Sequence, residues 1–331
     1  MIDKELKLNK KILEKDVEKV APRDGFGQGV LAAAEKDERV VALSADLKDS
    51  TRLSYFAEKF PDRFIECGVA EQAMVTIASG MAAYGKIPFA ASYGVFSPGR
   101  NWEQIRTTVC LNNVPVKLGG GHSGLSGVHN GASQEALEDI ALMRVLPNMT
   151  VIVPCDAEES KKAVLSAAKT PEPTYIRFNR EPTAVMTTEK TPFKIGRAET
   201  FWTSKSPQVV IIACGVLLYQ ALLAARELDK KGIESLVINC HTIKPIDERT
   251  IIRAAKITGA VVTVEEHQVN GGLGGAVAEV LAKNFPVPIE IIGVEDSFGE
   301  SGTYEELLKK YGLTAKNISE TCKRVIGRKN R

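Results

Sequence analysis

The sequence predicts an α/β protein of two domains, each a mostly parallel sheet flanked by helices. Short apolar runs rich in β-branched residues alternate with longer segments of helical period, an order typical of parallel sheets covered on both faces. The chain has 331 residues, more than one domain of ordinary size, and an apolar fraction of 44%, which is enough for a sizeable core. The alternation stops between residues 182 and 194 and then restarts, which divides the chain in two.

The first predicted domain spans residues 20–181. Its strand-like runs are 40–43, 64–67, 87–90, 114–118, 150–153 and 175–178. Its helical segments are 73–84, 102–111, 134–145 and 157–168. We assign strands to the short β-branched runs and helices to the longer segments whose apolar residues recur every three to four positions.

The second predicted domain spans residues 195–331 and is smaller. Its strands are predicted at 209–213, 235–238, 260–264 and 289–292, and its helices at 219–230, 247–255 and 274–283. Residues 182–194 lack periodicity and are interpreted as a linker, and residues 1–19 as an amino-terminal extension.

Composition excludes several function classes. A formal net charge of +2 favours neither nucleic acid nor a membrane surface as a partner, so any anion site has to be local. Residues 1–19 are charged and lack the apolar centre of a signal peptide, so we expect a cytoplasmic protein. The six cysteines are scattered without a C-x-x-C pair, which predicts reduced structural thiols rather than a disulfide framework or a zinc site.

Glu71 is the most informative single residue. It begins a predicted helix directly after the strand-like run 64–67, where free N–H groups and the helix dipole favour a carboxylate. The apolar neighbours Val69, Met74 and Val75 would desolvate it. The helix start lowers the pKa of a carboxyl group, whereas desolvation raises it. Taken alone, a glutamate in the first turn also fits an ordinary helix start.

Several polar and aromatic side chains follow predicted strands. Ligands of open α/β sheets bind at the carboxyl ends of the strands, so we expect these side chains to face one cleft. They are Asp46, Ser50, Glu71, Tyr93, Phe96 and His122.

Five segments, in this order and at these spacings, resemble the transketolase family, whose enzymes use thiamine diphosphate. They are Asp-Leu-Lys-Asp-Ser-Thr at 46–51, Gly-Val-Ala-Glu-Gln at 68–72, Phe-Ala-Ala-Ser-Tyr-Gly-Val-Phe at 89–96, His-Ser-Gly-Leu-Ser-Gly at 122–127, and Glu-Asp-Ile-Ala at 138–141 with the run 144–154. The resemblance extends over residues 20–312. It implies a pyrimidine-binding domain followed by the transketolase carboxy-terminal domain, encoded as a separate polypeptide.

The resemblance implies a cofactor site. Glu71 matches the catalytic glutamate that hydrogen-bonds the aminopyrimidine ring of thiamine diphosphate and promotes the tautomer that activates the thiazolium carbon. Tyr93 and Phe96 match the aromatic pair that packs on that ring, although two aromatic residues after a strand also fit an ordinary core. Asp46 and Val69 match positions beside the cofactor.

The implied substrates are ketose and aldose phosphates. The positions that hold the acceptor's phosphate in the family are matched by Arg23, Ser50, His122 and Arg180. Arginine suits this role because its planar fork donates two parallel hydrogen bonds to phosphate oxygens. Arg177, three residues before Arg180, is interpreted as structural.

The sequence departs from the family at two substrate positions. Gln134 stands where many transketolases have a second histidine, although the animal enzymes also have glutamine there. Gln134 can donate to a substrate hydroxyl but cannot carry a proton at neutral pH. Asn130 stands where the family usually has an aspartate that senses the donor's stereochemistry.

The family's metal motif is missing. Transketolases hold the diphosphate through Mg²⁺ with a Gly-Asp-Gly run and a later Asn, and the chain has no such pair, so we expect no metal ligand here. The resemblance therefore implies an amino-terminal partner subunit that carries this motif, in a two-plus-two heterotetramer. The activity implied is transfer of a two-carbon ketol unit between sugar phosphates.

Three alternatives are weighed. Deoxyxylulose-phosphate synthase shares parts of the motif set, but it usually has a histidine where Gln134 stands and comes as one longer chain. The beta subunit of a 2-oxo-acid dehydrogenase's decarboxylating component has a similar length and an equivalent glutamate, but residues 139–144 and the His122 loop are more similar to transketolase. A non-catalytic assembly subunit is the third alternative. A scaffold has no need to keep the whole set of Arg23, Glu71, Tyr93, Phe96 and Arg180.

Overall fold

Three sheets organise residues 1–329, the part of the chain that the computed structural model describes: one of seven strands, one of five and one of two. The two large sheets are mostly parallel and carry helices, so the predicted fold class is confirmed.

The helices and strands follow one another as predicted in outline. The first part of the chain forms β1 (Lys19–Val20), α1 (Pro22–Ala34), β2 (Val40–Ser44), α2 (Ser54–Lys59), β3 (Phe64–Glu66), α3 (Glu71–Ala83), β4 (Ile87–Tyr93), α4 (Trp102–Gln104), β5 (Lys117–Gly121), α5 (Asp139–Arg144), β6 (Thr150–Ile152), α6 (Ala157–Ala167), β7 (Thr174–Arg177) and β8 (Thr183–Ala184). The second part forms β9 (Glu199–Trp202), β10 (Val209–Ala213), α7 (Leu218–Asp229), β11 (Ser235–Asn239), β12 (Thr242–Lys244), α8 (Glu248–Thr258), β13 (Val261–Gln268), α9 (Leu273–Asn284), β14 (Ile289–Val294), α10 (Tyr304–Lys310) and α11 (Ala315–Ile326). Short 3₁₀ turns lie at Pro61–Arg63, Val128–Ser133 and Gly215–Leu217, and a π-helical turn follows α4 at Ile105–Cys110.

The seven-stranded sheet has the order β12-β6-β7-β5-β4-β2-β3. Every neighbouring pair is parallel except β12 with β6. Strands β2 and β4 are buried at every position, as expected of strands covered on both faces. The carboxyl ends of β2, β3, β4, β5 and β7 consequently meet at one edge of the sheet.

The five-stranded sheet has the order β14-β13-β10-β11-β9, in which only the edge strand β9 is antiparallel. Strand β12 comes from the second part of the chain but completes the first sheet, so the two parts share main-chain hydrogen bonds. Residues 1–19 also contact the second part, because Leu6, Leu8 and Ile12 are buried in its core. Strand β8, in the predicted linker, pairs with β1.

The predicted helix at 134–145 is wrong for its first half, and only α5 is helical. Tertiary partners take the hydrogen-bonding groups that a helix would need. The carbonyl of Ala136 accepts from the N–H of Gly124 at 2.8 Å and from Nη2 of Arg177 at 3.1 Å. These bonds hold the backbone before α5 in a non-helical conformation.

The predicted strand at 114–118 is displaced, because the observed strand β5 runs through three glycines. A side chain at Gly120 would lie 1.9 Å from the hydroxyl of Tyr175, and one at Gly121 would lie 2.8 Å from the ring of Phe178. Glycine is required here because aromatic rings occupy the space above the strand, and propensity alone does not reveal that.

All six cysteines are free thiols, and five of them are buried. Among the helices of residues 1–329, none combines the length and the apolar character needed to cross a membrane.

Candidate active site

Three aromatic rings stack at the carboxyl edge of the seven-stranded sheet. Tyr93 ends β4 and His122 directly follows β5, and their ring centroids lie 3.9 Å apart. The ring of Phe96 also stacks with Tyr93, with its centroid 5.7 Å away and an interplanar angle of 16°. The Tyr93 hydroxyl donates to Oγ of Ser50 at 3.2 Å. The structure therefore brings these four predicted residues together.

Glu71 is the first residue of α3 and its side chain is only 3% exposed. Met74 and Val75 are fully buried in the same turn, as predicted, but Val69 is 69% exposed. Val69 therefore does not desolvate the carboxylate within this chain. The side-chain amide of Asn101 donates to the Glu71 carbonyl at 3.1 Å, which fixes the start of the helix.

Arg100 joins the carboxylate to the aromatic stack, and the sequence analysis missed it. Its Nη1 lies 3.3 Å from Oε2 of Glu71, and its guanidinium sits over the Phe96 ring at 4.3 Å from the centroid. A cation on an aromatic face is favourable, so Arg100 is held by both groups. The signal available in the sequence was a lone arginine in the loop after the aromatic pair.

Guanidinium groups gather beside the ring stack. Nη1 of Arg23 donates weakly to the carbonyl of Ser50 at 3.4 Å, and its backbone N–H donates to the carbonyl of Asn179 at 3.2 Å. The backbone N–H of Arg180 donates to Oγ of Ser126 at 3.2 Å. Burial lowers the pKa of Arg23, and the charges of Arg52 and Arg180 lower it further. This edge of the sheet is therefore locally electropositive in a chain of nearly neutral net charge.

His122 is buried within this cluster and adopts a left-handed backbone conformation with φ of 52°. Burial lowers the pKa of its imidazole to about 3, and the neighbouring charges of Arg23, Arg180 and Arg52 act in the same direction. Its Nδ1 has no hydrogen-bond partner among the described residues. The ring is thus neutral at physiological pH, with an unused polar atom in a buried site.

Replacing His122 with glutamine is expected to make the free energy of unfolding less sensitive to acid. The folded protein keeps the ring neutral down to about pH 3, whereas the unfolded chain takes up the proton near 6.5, so the wild-type protein loses stability as pH falls between these values. The variant lacks this contribution of up to roughly 1.4 kcal/mol per pH unit. Urea unfolding between pH 4 and 7 measures it, with the exposed His129→Gln as control. If the free energy of unfolding falls equally with pH in the wild type and in His122→Gln, the claim that the folded protein keeps His122 neutral is contradicted.

Asp46 lies beside this site on the exposed surface, with a left-handed φ of 59°. Its backbone N–H and that of Gly68 both donate to Oε1 of Glu66, at 2.7 and 3.0 Å. Glu66 thus ties the loop after β2 to the loop before α3. Together with residues 47–50, Asp46 and Glu66 line a small open cavity of about 250 Å³.

Asn130 and Gln134 form a separate group. The Asn130 amide donates to Oε1 of Gln134 at 2.6 Å within the loop that contains the 3₁₀ turn Val128–Ser133. Gly131 has a φ of 64° and kinks this loop. Within residues 1–329 no hydrogen bond links either side chain to the ring stack, so the structure pairs them with each other rather than with His122.

Arg177 ends β7 and is buried in a separate set of contacts. Its Nε donates to Oδ2 of Asp139 at 2.8 Å, and its Nη2 donates to the carbonyls of Ala136 and Glu266. Although burial lowers the pKa of Arg177, the carboxylates of Asp139 and Glu266 raise it well above its usual value. These contacts join the two parts of the chain and agree with its interpretation as structural.

The carboxylates and the imidazole at this edge form no metal site within residues 1–329. Within the described residues, no group of three or more His, Cys, Asp or Glu side chains is arranged to hold an ion. What the edge does offer is a buried carboxylate, a stack of aromatic rings and a set of guanidinium groups. Such a site can bind a flat ring through stacking and an anionic group through charge-assisted hydrogen bonds.

Comparison with known proteins identifies the family of this chain. Residues 18–184 match the transketolase pyrimidine binding domain, and residues 199–318 match the transketolase C-terminal domain. The chain is 41% identical over 308 residues to the 6-deoxy-6-sulfo-D-fructose transketolase subunit SqwH of Clostridium sp. (strain MSTE9), covering 93% of this chain and 95% of the relative. It is also 41% identical over 301 residues to a putative transketolase C-terminal section of Methanocaldococcus jannaschii, covering 90% and 94%.

A solved structure described as a split gene transketolase in an inactive beta4 tetramer superposes with a TM-score of 0.87 at 41% identity. The match covers 93% of this chain and 99% of that one. The chain belongs to the transketolase family. Within that family it carries the pyrimidine-binding and carboxy-terminal domains, as the resemblance implied.

Proposed function

We propose that this chain is the carboxy-terminal subunit of a split transketolase, which transfers a two-carbon ketol unit from a ketose phosphate to an aldose phosphate. The observation that carries the proposal is the buried carboxylate of Glu71 at the start of α3, joined through Arg100 to the Phe96–Tyr93–His122 stack. A scaffold gains nothing from a buried carboxylate beside stacked rings, since burying charge costs stability. The domain division at residues 1–19, 20–181, 182–194 and 195–331 belongs to the same proposal.

The residues present suit the pyrimidine half of thiamine diphosphate. In this role Glu71 accepts a hydrogen bond from the ring, Tyr93 and Phe96 pack against its face, and Asp46 and Val69 lie beside it. When bound, the cofactor supplies the carbon nucleophile that carries the ketol unit. The chain itself contributes the buried carboxylate of Glu71. A charge-assisted hydrogen bond to this carboxylate is stronger than it would be in bulk water.

The guanidinium cluster suits the phosphate end of the sugar. Arg23, Ser50, His122 and Arg180 are assigned to the substrate's terminal phosphate. The neutral imidazole of His122 serves as a hydrogen-bonding group and not as a cation. Asn130 and Gln134 are assigned to hydroxyl groups of the substrate, which their amides can both donate to and accept from.

An amino-terminal partner subunit completes this proposal. It would carry the Gly-Asp-Gly run and the later Asn that hold the diphosphate through Mg²⁺, because such ligands are absent from this sequence. Val69, assigned to the cofactor, is 69% exposed in the chain, and Ile77 on α3, the helix that begins two residues after Val69, is 43% exposed. Such apolar exposure beside a site fits a surface that a partner covers, in a cytoplasmic two-plus-two heterotetramer.

Replacing Ile77 with glutamate is expected to weaken association with the partner subunit while the chain stays folded. Ile77 lies on the exposed face of α3, and a charge there would have to be desolvated when the partner covers it. Sizing of the mixed subunits measures the effect. Ile257→Glu, on an exposed face of α8, is the matched control and should leave assembly unchanged. Wild-type assembly of Ile77→Glu would exclude this face of α3 as the contact.

The test of function is an assay of ketol transfer from xylulose 5-phosphate to ribose 5-phosphate with thiamine diphosphate and Mg²⁺. The chain is assayed alone and then with the candidate Gly-Asp-Gly partner. Because a 41% identical relative is named for 6-deoxy-6-sulfo-D-fructose, that sugar is included as a second donor. Transfer only in the mixture supports the proposal. Transfer by the chain alone contradicts the need for a partner, and decarboxylation of a 2-oxo acid instead of transfer favours the dehydrogenase alternative.

A further inference from the structure

We propose that Arg52 is a specificity-determining residue that makes the terminal-anion site selective for a phosphate ester dianion over a sulfonate monoanion. This inference rests on the proposed function and adds to it a residue and a preference. Arg52 is not among the residues that the family resemblance implied. It lies in the loop between β2 and α2, two residues after Ser50.

Main-chain geometry holds Arg52 against α1. Its φ of 64° is left-handed, which is uncommon for a residue with a side chain. A Cβ at Gly27 would lie 2.4 Å from Cβ of Arg52, so the glycine in α1 makes room for this loop. Strained backbone of this kind persists where the surrounding structure fixes it and is concentrated at functional sites.

Hydrogen bonds orient the guanidinium of Arg52. Its Nε donates to Oδ1 of Asp24 at 2.6 Å, and its Nη1 donates to the carbonyl of Asp49 at 3.2 Å. Within residues 1–329, Nη2 takes part in no hydrogen bond. Asp24 and Arg23 are neighbours at the start of α1, so this anchoring holds Arg52 beside the residue assigned to the phosphate.

The cations of this cluster outnumber the carboxylates in contact with them. Arg52 is paired with Asp24, and Arg180 lies 3.8 Å from Glu181, but Arg23 forms no ion pair within residues 1–329. The Nε of Arg23 and the Nδ1 of His122 are both buried without a hydrogen-bond partner among the described residues. Two unused buried polar atoms beside three guanidinium groups indicate a site suited to receive an anion.

The charge of Arg52 acts on the same site as Arg23 and His122. Arg23 donates to the carbonyl of Ser50, two residues before Arg52, and Asp24, which directly follows Arg23, accepts from Nε of Arg52. In agreement with this geometry, burial and the charge of Arg52 lower the pKa of both Arg23 and His122. A bound anion relieves this repulsion, and a dianion relieves it about twice as much as a monoanion, because the Coulomb energy is proportional to the charge. A third guanidinium therefore strengthens the binding of both kinds of anion, but it strengthens the binding of a dianion more.

The test measures dissociation constants of methyl phosphate and methanesulfonate with the full chain at pH 8, where the phosphate ester is a dianion. Titration calorimetry is used with the wild type, Arg52→Asn, Arg52→Lys and Arg39→Asn. Asparagine tolerates the left-handed backbone, so Arg52→Asn removes the charge without new strain. Arg39 pairs with Asp37 on the surface, which makes Arg39→Asn a matched control.

Arg52→Asn is expected to weaken methyl phosphate roughly tenfold and methanesulfonate about threefold, so the preference for phosphate falls about threefold. Arg52→Lys should retain part of the preference, and Arg39→Asn all of it. Wild-type affinities in Arg52→Asn, or equal losses for both anions, would overturn the proposal. If Arg52→Asn fails to fold, Arg52→Gly takes its place, because glycine also accepts the left-handed backbone. Wild-type affinities in Arg52→Gly, or equal losses for both anions, overturn the proposal.

Ketol transfer by the subunit mixture separates this inference from the function on which it rests. If the mixture containing Arg52→Asn still transfers the ketol unit and its anion affinities equal those of the wild type, the role of Arg52 is refuted and the proposed transketolase activity stands. Loss of anion selectivity in Arg52→Asn, in a mixture that transfers no ketol unit to any acceptor, supports the role of Arg52 and refutes the transketolase activity.

Discussion

Replacing Glu71 with glutamine is expected to lower turnover of the reconstituted enzyme roughly 10²- to 10⁴-fold, the range that a positioned acid or base contributes. Glutamine has the same shape as glutamate but cannot carry the negative charge that strengthens a hydrogen bond to the cofactor's ring. The folded chain should not suffer, because Glu71 has only a 3.3 Å contact with the half-exposed Arg100 to offset its burial. Loss of a buried charge at an active site commonly leaves stability unchanged or raises it.

Steady-state assays of the subunit mixture, with the free energy of unfolding of each variant, measure this effect. Glu58→Gln, an exposed residue of α2, is the isosteric control and should retain wild-type turnover. Near-normal turnover of Glu71→Gln would remove Glu71 from the mechanism. Loss of activity accompanied by unfolding would mean that Glu71 is structural.

Replacing Asp139 with alanine is expected to destabilise the chain by about 3–5 kcal/mol, the cost of breaking a buried ion pair by removing one partner. Oδ2 of Asp139 accepts from Nε of Arg177 at 2.8 Å and from the hydroxyl of Tyr175 at 2.7 Å, and both Asp139 and Arg177 are almost fully buried. The substitution removes the carboxylate that bonds directly to the buried guanidinium of Arg177 and leaves only the charge of Glu266 to offset it.

Urea unfolding measures the loss, and a double variant tests its cause. Asp139→Ala combined with Arg177→Met removes both charges and should recover much of the stability, because the penalty comes from the uncompensated charge. Asp37→Ala breaks the surface pair with Arg39 and should have little measurable effect. A double variant no more stable than Asp139→Ala would show that the cost comes from lost packing.

Most of the architecture is contained in local patterns of the sequence. The predicted strand at 209–213 coincides with β10, and the predicted strands at 40–43 and 289–292 lie within β2 and β14. A strand buried on both faces needs a continuous apolar run, so such strands are recognisable one at a time. The order of strands and helices then implied a parallel sheet and placed Tyr93 and His122 at one edge, where the structure has them.

Local patterns failed where hydrogen bonds or packing come from distant residues. The segment before α5 has helical periodicity, but the carbonyl of Ala136 bonds to Arg177, 41 positions away. Strand β5 contains three consecutive glycines, which have no strand propensity of their own, and Tyr175 and Phe178 occupy the space that side chains there would fill.

The candidate active site also combines features that the sequence reveals with features that only the folded structure reveals. Glu71 at a helix start and Tyr93 after a strand are chain-local features, and each was predicted from its own neighbourhood, whereas Arg180 was named only through the family resemblance. The environment of each group was not, because the groups that set it come from other loops. Arg100 reaches Glu71 from 29 positions away, Arg52 reaches Asp24 from 28, and the exposure of Val69 depends on what packs over α3. Charge and burial act through space, so a residue's type can be read along the chain, whereas its partners and exposure follow only from the folded molecule.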